Sequence, residues 1–251
     1  LVNNAGIYKS LTFLDYSAQD FQRLLDVNLF GVIHLMQAAL PRMQARGYGR
    51  IVNIASTAGK WGSRNQSAYN VSKHGVVAPT ETLYQDLALV TKQVRAHLLC
   101  PFFVPTGIVG SHRNRPADAS AGSPTRSQIV AQAMMSKAGE SGKVSAVDVA
   151  GMVFNALRTD RFYIYSHPHA LQSVQTRLDD VMQGRNPSDP FAERPEIGQR
   201  LRRPRQQSGR EVPRRDAGRD QLGGEAPREV APRCRRQLLE RGRGHDAGRA
   251  G

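Results

Sequence analysis

Cysteine is nearly absent. Cys100 and Cys234 are the only two in 251 residues, which excludes a disulfide framework and offers no metal-ligand spacing. No apolar run is expected to approach the roughly 18–20 residues that cross a bilayer. The opening, LVNNAGIYKS, has no basic segment leading into an apolar one, so it does not read as a secretory signal. A reducing cytoplasm is the expected compartment. Lysine is missing from residues 200–251, which hold 15 Arg against 7 acids for a net of +8, while residues 1–199 hold 20 basic and 14 acidic residues for a net of +6. More than half of the formal charge of +14 therefore sits in the last fifth of the chain.

That last fifth is built from Arg, Gly, Pro, Gln and Ala, with one short apolar cluster at Leu238 and Leu239. Such a composition cannot bury enough surface to offset chain entropy, and residues 199–251 are predicted to be a disordered tail. Its arginines would give modest, salt-sensitive binding to nucleic acid. The lack of aromatics for base stacking makes nucleic-acid binding the weakest of the functions considered. The abrupt change of composition near residue 202 is what a frameshift in a GC-rich gene would produce, and a frameshift is the expectation.

Residues 1–198 have a different texture, alternating short β-branched runs with amphipathic stretches. After a strand-like LV, Ser17 and Asp20 form a capping-box pattern before Phe21, Leu24, Leu25, Asn28, Leu29, Val32, Leu35 and Met36, spaced by threes and fours. This predicts a helix that Pro41 and Gly47 bring to an end. Strands are predicted at 50–56, 95–102 and 161–165, and helices at 68–90, 126–138, from Ser145 to Arg158, and at 169–183. Residues 110–127, rich in Ser, Pro, Gly and Ala, are predicted to be a loop. Strands alternating with helices imply a parallel α/β sheet covered by helices.

Within this region SAYNVSKHG places Tyr69 one helical turn before Lys73. With seven Tyr and six Lys in the chain, roughly 0.2 such pairs arise by chance, so the pair is informative only in context. Three further signals supply that context. NNAG (3–6) follows the opening strand, Asn28 lies on the buried face of the first helix, and Ser56 follows the strand at 50–55. Taken singly, these are a surface pair, a turn, a helix-kink residue and an N-cap.

Taken in this order and spacing, they resemble the short-chain dehydrogenase/reductase family over residues 1–198. The resemblance implies a Rossmann-like, doubly wound α/β fold and an NAD(P)-dependent oxidoreductase that interconverts an alcohol and a ketone. Reduction of a ketone leaves an alkoxide that needs a proton, and a free phenol near pKa 10 is a poor base for the reverse reaction. An ammonium one turn away favours the phenolate, so Lys73 is expected to make Tyr69 more acidic and, by resemblance, to hold the nicotinamide ribose. Ser56 would hold the substrate oxygen, and Asn28 a water that links Lys73 to solvent. Asn4, Ala5 and Gly6 would line the adenosine side of the NAD or NADP site. PFFVPT (101–106) would meet the nicotinamide through Pro101 and Val104, with Thr106 near its amide. A homodimer or homotetramer, pairing through helices at about 17–45 and 68–90, is implied as well.

Departures from the family pattern set further expectations. The family's Gly-rich phosphate loop and the residue that selects NAD or NADP precede NNAG, where this sequence has only Leu1 and Val2. Usual element lengths put the difference at about 75 residues, so an N-terminally truncated chain that binds cofactor poorly is the expectation, with a non-catalytic reductase as the alternative. Phe102 stands where the family has glycine and is expected to crowd the nicotinamide. Pro79 falls inside the predicted helix that carries Tyr69 and Lys73. Lys60 and Trp61 border the expected substrate pocket, His167 and His169 read as a turn rather than a metal site, and Cys100 reads as core.

Overall fold

The structure, a computed structural model, describes residues 1–114, 129, 133 and 143–189. The expected tail at 199–251 lies outside the described residues, as do most of the expected loop at 110–127 and all of the helix at 126–138 except Ile129 and Ala133.

Four strands, β1 (Val2–Asn3), β2 (Gly49–Ile54), β3 (Val94–Cys100) and β4 (Tyr163–Tyr165), pair in parallel in the order β1-β2-β3-β4. Parallel neighbours need crossovers, and helices supply them. One continuous helical segment comprises α1 (Ala18–Leu25), a π-helical turn (Asp26–Phe30) and α2 (Gly31–Ala45). It joins β1 to β2, and α3 (Ser67–Val90) joins β2 to β3. Helix α4 (Ala146–Arg158) precedes β4, and α5 (Leu171–Met182) follows it.

Side chains alternate across the sheet with a period of two and so build two cores. Ile51, Ala55, Ala96, Leu98 and Cys100 pack with Val32, Met36, Val76, Val77 and Leu87 from the long helices. Val52, Leu99 and Ile164 face the other way and pack with Val149 and Ala156 of α4. This is the Rossmann-like, doubly wound α/β arrangement, with a parallel sheet covered on both faces.

The helix starts follow the sequence. Ser17–Asp20 and Ser145–Asp148 both form complete capping boxes. The stops are less direct. Pro41 does not end its helix, because α2 runs on to Ala45. Pro41 is exposed on the last turns, where the chain has room around the ring and few helical bonds remain to be lost. The break comes at Gly47, whose φ of +68° is open to glycine at little cost. Pro79 does lie within α3. One turn of α3 around it is tied to the sheet through Thr80, whose hydroxyl donates to the Val76 carbonyl (2.6 Å) and accepts from Asn53 Nδ2 (2.9 Å).

Candidate active site

Strand β2 ends at Ile54, and Ser56 opens a short 3-10 turn, Thr57–Gly59. The Ser56 hydroxyl caps this turn by accepting from Ala58 N–H (3.1 Å) and reaches the Pro101 carbonyl at 3.5 Å. Gly59 lets the turn lie directly on α3, because a Cβ there would stand 2.6 Å from the Lys73 carbonyl oxygen. Thr57 N–H donates to the Pro101 carbonyl at 3.0 Å, which fastens the turn to the segment after β3. Ser56 is thus held between α3 and the 101–106 segment.

Tyr69 and Lys73 project from the first turns of α3. The Lys73 side chain is buried, and its ammonium donates to the Ile54 carbonyl (2.8 Å) and lies 5.8 Å from the centre of the Tyr69 ring. Asn28 sits in the π-helical turn and is fully buried. Its side chain exchanges two hydrogen bonds with Ile7, accepting from the N–H (2.8 Å) and donating to the carbonyl (3.0 Å). The same amide donates to Ser72 Oγ (3.0 Å), which in turn donates to the Tyr69 carbonyl (2.8 Å). A Cβ built on Gly6 would lie 3.5 Å from Asn28 Oδ1 and 3.7 Å from Lys73 Nζ. Ser56, Tyr69, Lys73, Asn28 and Gly6 therefore converge, although they come from four separate stretches of sequence.

The electrostatics differ from the sequence expectation. Tyr69 is partly exposed over its whole surface, but its ring is enclosed, and that burial pushes the phenol up to about 12; the Ser56 hydroxyl draws it part of the way back and the Tyr8 phenol adds to the rise. Lys73 is pushed down to about 8 by its own burial. The expected depression of Tyr69 by Lys73 is not found. With the ammonium turned to the Ile54 carbonyl, desolvation outweighs charge attraction, and each group favours its neutral form.

The other expected residues are placed as follows. Asn4 and Ala5 are exposed, and Gly6 is partly buried. Pro101 is partly buried and holds the Ser56 turn. Val104 packs against the core on the α4 face, and Thr106 is exposed, its hydroxyl 3.5 Å from Ile108 N–H. Phe102 has its own housing. Its N–H donates to Ser166 Oγ (3.0 Å), and its ring meets Phe103, His167 and His169 edge-on. His167 and His169 flank a 3-10 turn, Pro168–Ala170, and among the described residues no group of three or more His, Cys, Asp or Glu side chains is placed to hold a metal.

Lys60 is taken up elsewhere. It pairs with Glu81 (2.5 Å), lies over the Tyr163 ring, and lines a cavity of about 340 Å³ with His74, Tyr165 and Arg177. None of Ser56, Tyr69, Lys73 and Asn28 lines that cavity. The sequence reading missed Ser72, the link between Asn28 and Tyr69, and Tyr8, which is 7% exposed with its ring edge-on to Tyr69 at 5.1 Å. Ser72 lies inside the Tyr-x-x-x-Lys stretch, four residues from buried Ala68 and Val76, so helical spacing alone marks it as inward-facing; nothing local marks Tyr8.

Comparison with known proteins adds three findings. The profile of the short chain dehydrogenase family matches residues 1–117. The crystal structure of a short chain dehydrogenase/reductase from Burkholderia phymatum in complex with NAD superposes with a TM-score of 0.74 at 42% identity, covering 76% of this chain and 69% of that one. Among curated proteins, the CLA biosynthesis dehydrogenase/reductase of Lactiplantibacillus plantarum is 29% identical over 72% of this chain, and the D-beta-hydroxybutyrate dehydrogenase of Rhizobium meliloti (strain 1021) is 33% identical over 54% of it. This chain spans 65% of the former and 51% of the latter, less than two thirds of each.

Proposed function

The chain belongs to the short-chain dehydrogenase/reductase family, and from that premise we propose that it is an NAD(P)-dependent oxidoreductase interconverting a secondary alcohol and a ketone, with Tyr69 as acid and base. The observation that carries this reading is the convergence of Asn28, Lys73 and Gly6 beside Tyr69, linked through Ser72.

The residues fit the nicotinamide end of the cofactor. Gly6, expected on the adenosine side, lies instead beside Lys73 Nζ and Asn28 Oδ1, where it leaves a space that any side chain would begin to fill. Among the described residues Lys73 Nζ has one hydrogen bond, to the Ile54 carbonyl, and as an ammonium has three donors, which leaves donors for a ribose hydroxyl. Pro101, Val104 and Thr106 would flank the ring, and Asn4 and Ala5 would lie along the adenosine side. NAD or NADP, when bound, supplies the hydride carrier.

The proton chemistry falls to the chain. A phenol raised to about 12 keeps its proton at neutral pH, so Tyr69 enters ketone reduction as the acid. Ser56, beside it, holds the substrate oxygen while that oxygen gains charge. Once Tyr69 has given up its proton, the phenolate is stabilised by the Ser56 hydroxyl and by protonated Lys73. Asn28, fixed to both backbone atoms of Ile7, holds the water through which the proton is replaced.

The long helices supply the second part of the proposal, a homo-oligomer. Phe30, Leu35 and Val71 are each 40% or more exposed on the π turn, α2 and α3, and a second copy would cover them.

The test is titration of the full chain with NADH and NADPH, followed by ketone reduction. We expect weak binding of at least one dinucleotide, and Tyr69→Phe should lose about 10²–10⁴ in rate with an unchanged melting temperature. A folded sample that binds neither dinucleotide would overturn the proposal and leave the non-catalytic alternative.

A further inference from the structure

Tyr8 is a second phenol in the same site, and no role above uses it. It follows Gly6 by two residues, on the segment that turns out of β1. Ser111, in a 3-10 helix at Gly107–Asn114, fixes its backbone from both sides, accepting from Tyr8 N–H (2.8 Å) and donating to the Tyr8 carbonyl (3.2 Å). The segment is tied down again at Asn65, whose carbonyl accepts from Leu11 N–H (3.0 Å) and from Ser10 Oγ (3.1 Å). Backbone and ring are thus held on several sides.

The hydroxyl at the end of that ring is another matter. It is buried, and it has no hydrogen-bond partner among the described residues. Ser10 is near enough to ease its titration, but the approach falls short of a hydrogen bond, and the Ser10 hydroxyl donates to the Asn65 carbonyl. A buried phenol left unpaired is unfavourable compared with phenylalanine at the same position. Its ring meets Tyr69 edge-on at 5.1 Å, so both phenols serve one small volume. Trp61 Nε1, on the loop that also carries Asn65, is a second buried donor without a partner among the described residues.

We propose that Tyr8 is a substrate-binding residue whose hydroxyl donates to a second oxygen of the substrate, on the carbon next to the reacting one or one further along. The substrate class is then hydroxy-ketones and the corresponding diols, in preference to plain ketones and alcohols. The inference rests on the reading of Tyr69 as the acid and base.

Two variants and three ketones test it on the full chain. Butanone and acetoin share a skeleton and differ by one hydroxyl beside the reacting carbon; the isomer of acetoin with its hydroxyl one carbon further along completes the set. The wild type should prefer one of the hydroxy-ketones over butanone in kcat/KM by about tenfold or more, mainly through KM. Tyr8→Phe should bring that ratio close to one and melt no lower than the wild type. Tyr8→Leu, which also removes the ring contact with Tyr69, should lose the preference and melt lower. Equal use of all three ketones by the wild type would overturn the proposal, as would an unchanged preference in Tyr8→Phe. A sample that reduces no ketone would count against the dehydrogenase reading instead, and melting would then judge Tyr8. A drop of several degrees in Tyr8→Phe means that the hydroxyl has a partner within the protein, which overturns the inference; an equal or higher melting temperature upholds a hydroxyl that awaits a ligand.

Discussion

Lys73 is a buried cation whose neighbours are a carbonyl and an aromatic ring, with no carboxylate in contact among the described residues. Its pKa falls from 10.5 to about 8, and this makes folding depend on pH with a definite sign. Between about pH 8 and 10.5 the unfolded chain holds the proton and the folded chain has released it, so Lys73 makes stability rise with pH across that window. Cys100, raised to about 12 by burial, acts in the opposite direction above pH 9, so the contribution of Lys73 is read as a difference. Urea unfolding of wild type and Lys73→Met at pH 7.5, 8.5 and 9.5 should give a wild-type stability that gains on the variant by about 1–2 kcal/mol over the series. A constant difference would mean that Lys73 titrates at its ordinary value.

The proposed catalytic set is visible in the sequence because its residue types carry the chemistry, and the structure brings Tyr69, Lys73, Ser56 and Asn28 together. The state of the charges is not visible there. Whether attraction or burial governs Tyr69 depends on where the Lys73 ammonium points, and its acceptor is the Ile54 carbonyl, 19 residues away. Tyr8 is invisible for a related reason, since an unpaired hydroxyl is a property of everything around it.

Between elements, two glycines set how closely α3 can be approached, and they differ in what a side chain would meet. At Gly59 a Cβ would fall 2.6 Å from the Lys73 carbonyl oxygen, part of a helix backbone, whereas at Gly75 it would fall 2.8 Å from Leu29 Cδ2, the tip of a flexible side chain. Gly59→Ala must therefore push the Ser56 turn off α3. It should cost about 1–3 kcal/mol and lower the rate together with the stability. Gly75→Ala should cost less, because Leu29 can change rotamer. Chemical unfolding of the two variants gives the order, and a larger loss for Gly75→Ala would refute this account of how the turn is seated.

The elements themselves were largely legible. Capping boxes mark the starts of α1 and α4, and apolar runs mark β2 and β3. The π-helical turn was not, because its stabilising contacts are those of Asn28 with Ile7, 21 residues distant. A widened turn of this kind carries the Asn28 amide to a place that regular 3.6-residue spacing does not give. The extent of α2 past Pro41 was missed as well, since a proline near an exposed helix end removes little.

For the molecule as a whole, the open question is what covers the outer faces of the long helices. Contrary to the sequence expectation, the segment Ala18–Ala45 is long and apolar enough to cross a membrane, with a mean hydropathy of 1.4 in its most apolar window. Length and composition alone do not separate a membrane span from a core helix. Here Leu24, Asn28, Val32, Met36 and Met43 are buried within the protein, and Asn28 is bonded on three sides to other parts of the chain. Lifting this helix into a bilayer would break the site apart and leave polar groups unpaired in hydrocarbon. The outward residues tell the rest. Leu35 and Val71 are both 50% exposed, one on each of the helices that flank the sheet on this face. Two such faces meeting about a two-fold axis would bury both residues twice over. Light scattering after size exclusion should give the mass of a dimer or a higher even oligomer for the wild type. Leu35→Glu combined with Val71→Glu should give the monomer mass with secondary structure retained, because both changes lie outside the folded core. A monomeric wild type would remove the second copy as the cover. If the wild type also floated with neutral phosphatidylcholine vesicles and the double variant did not, the face would belong to a lipid surface instead.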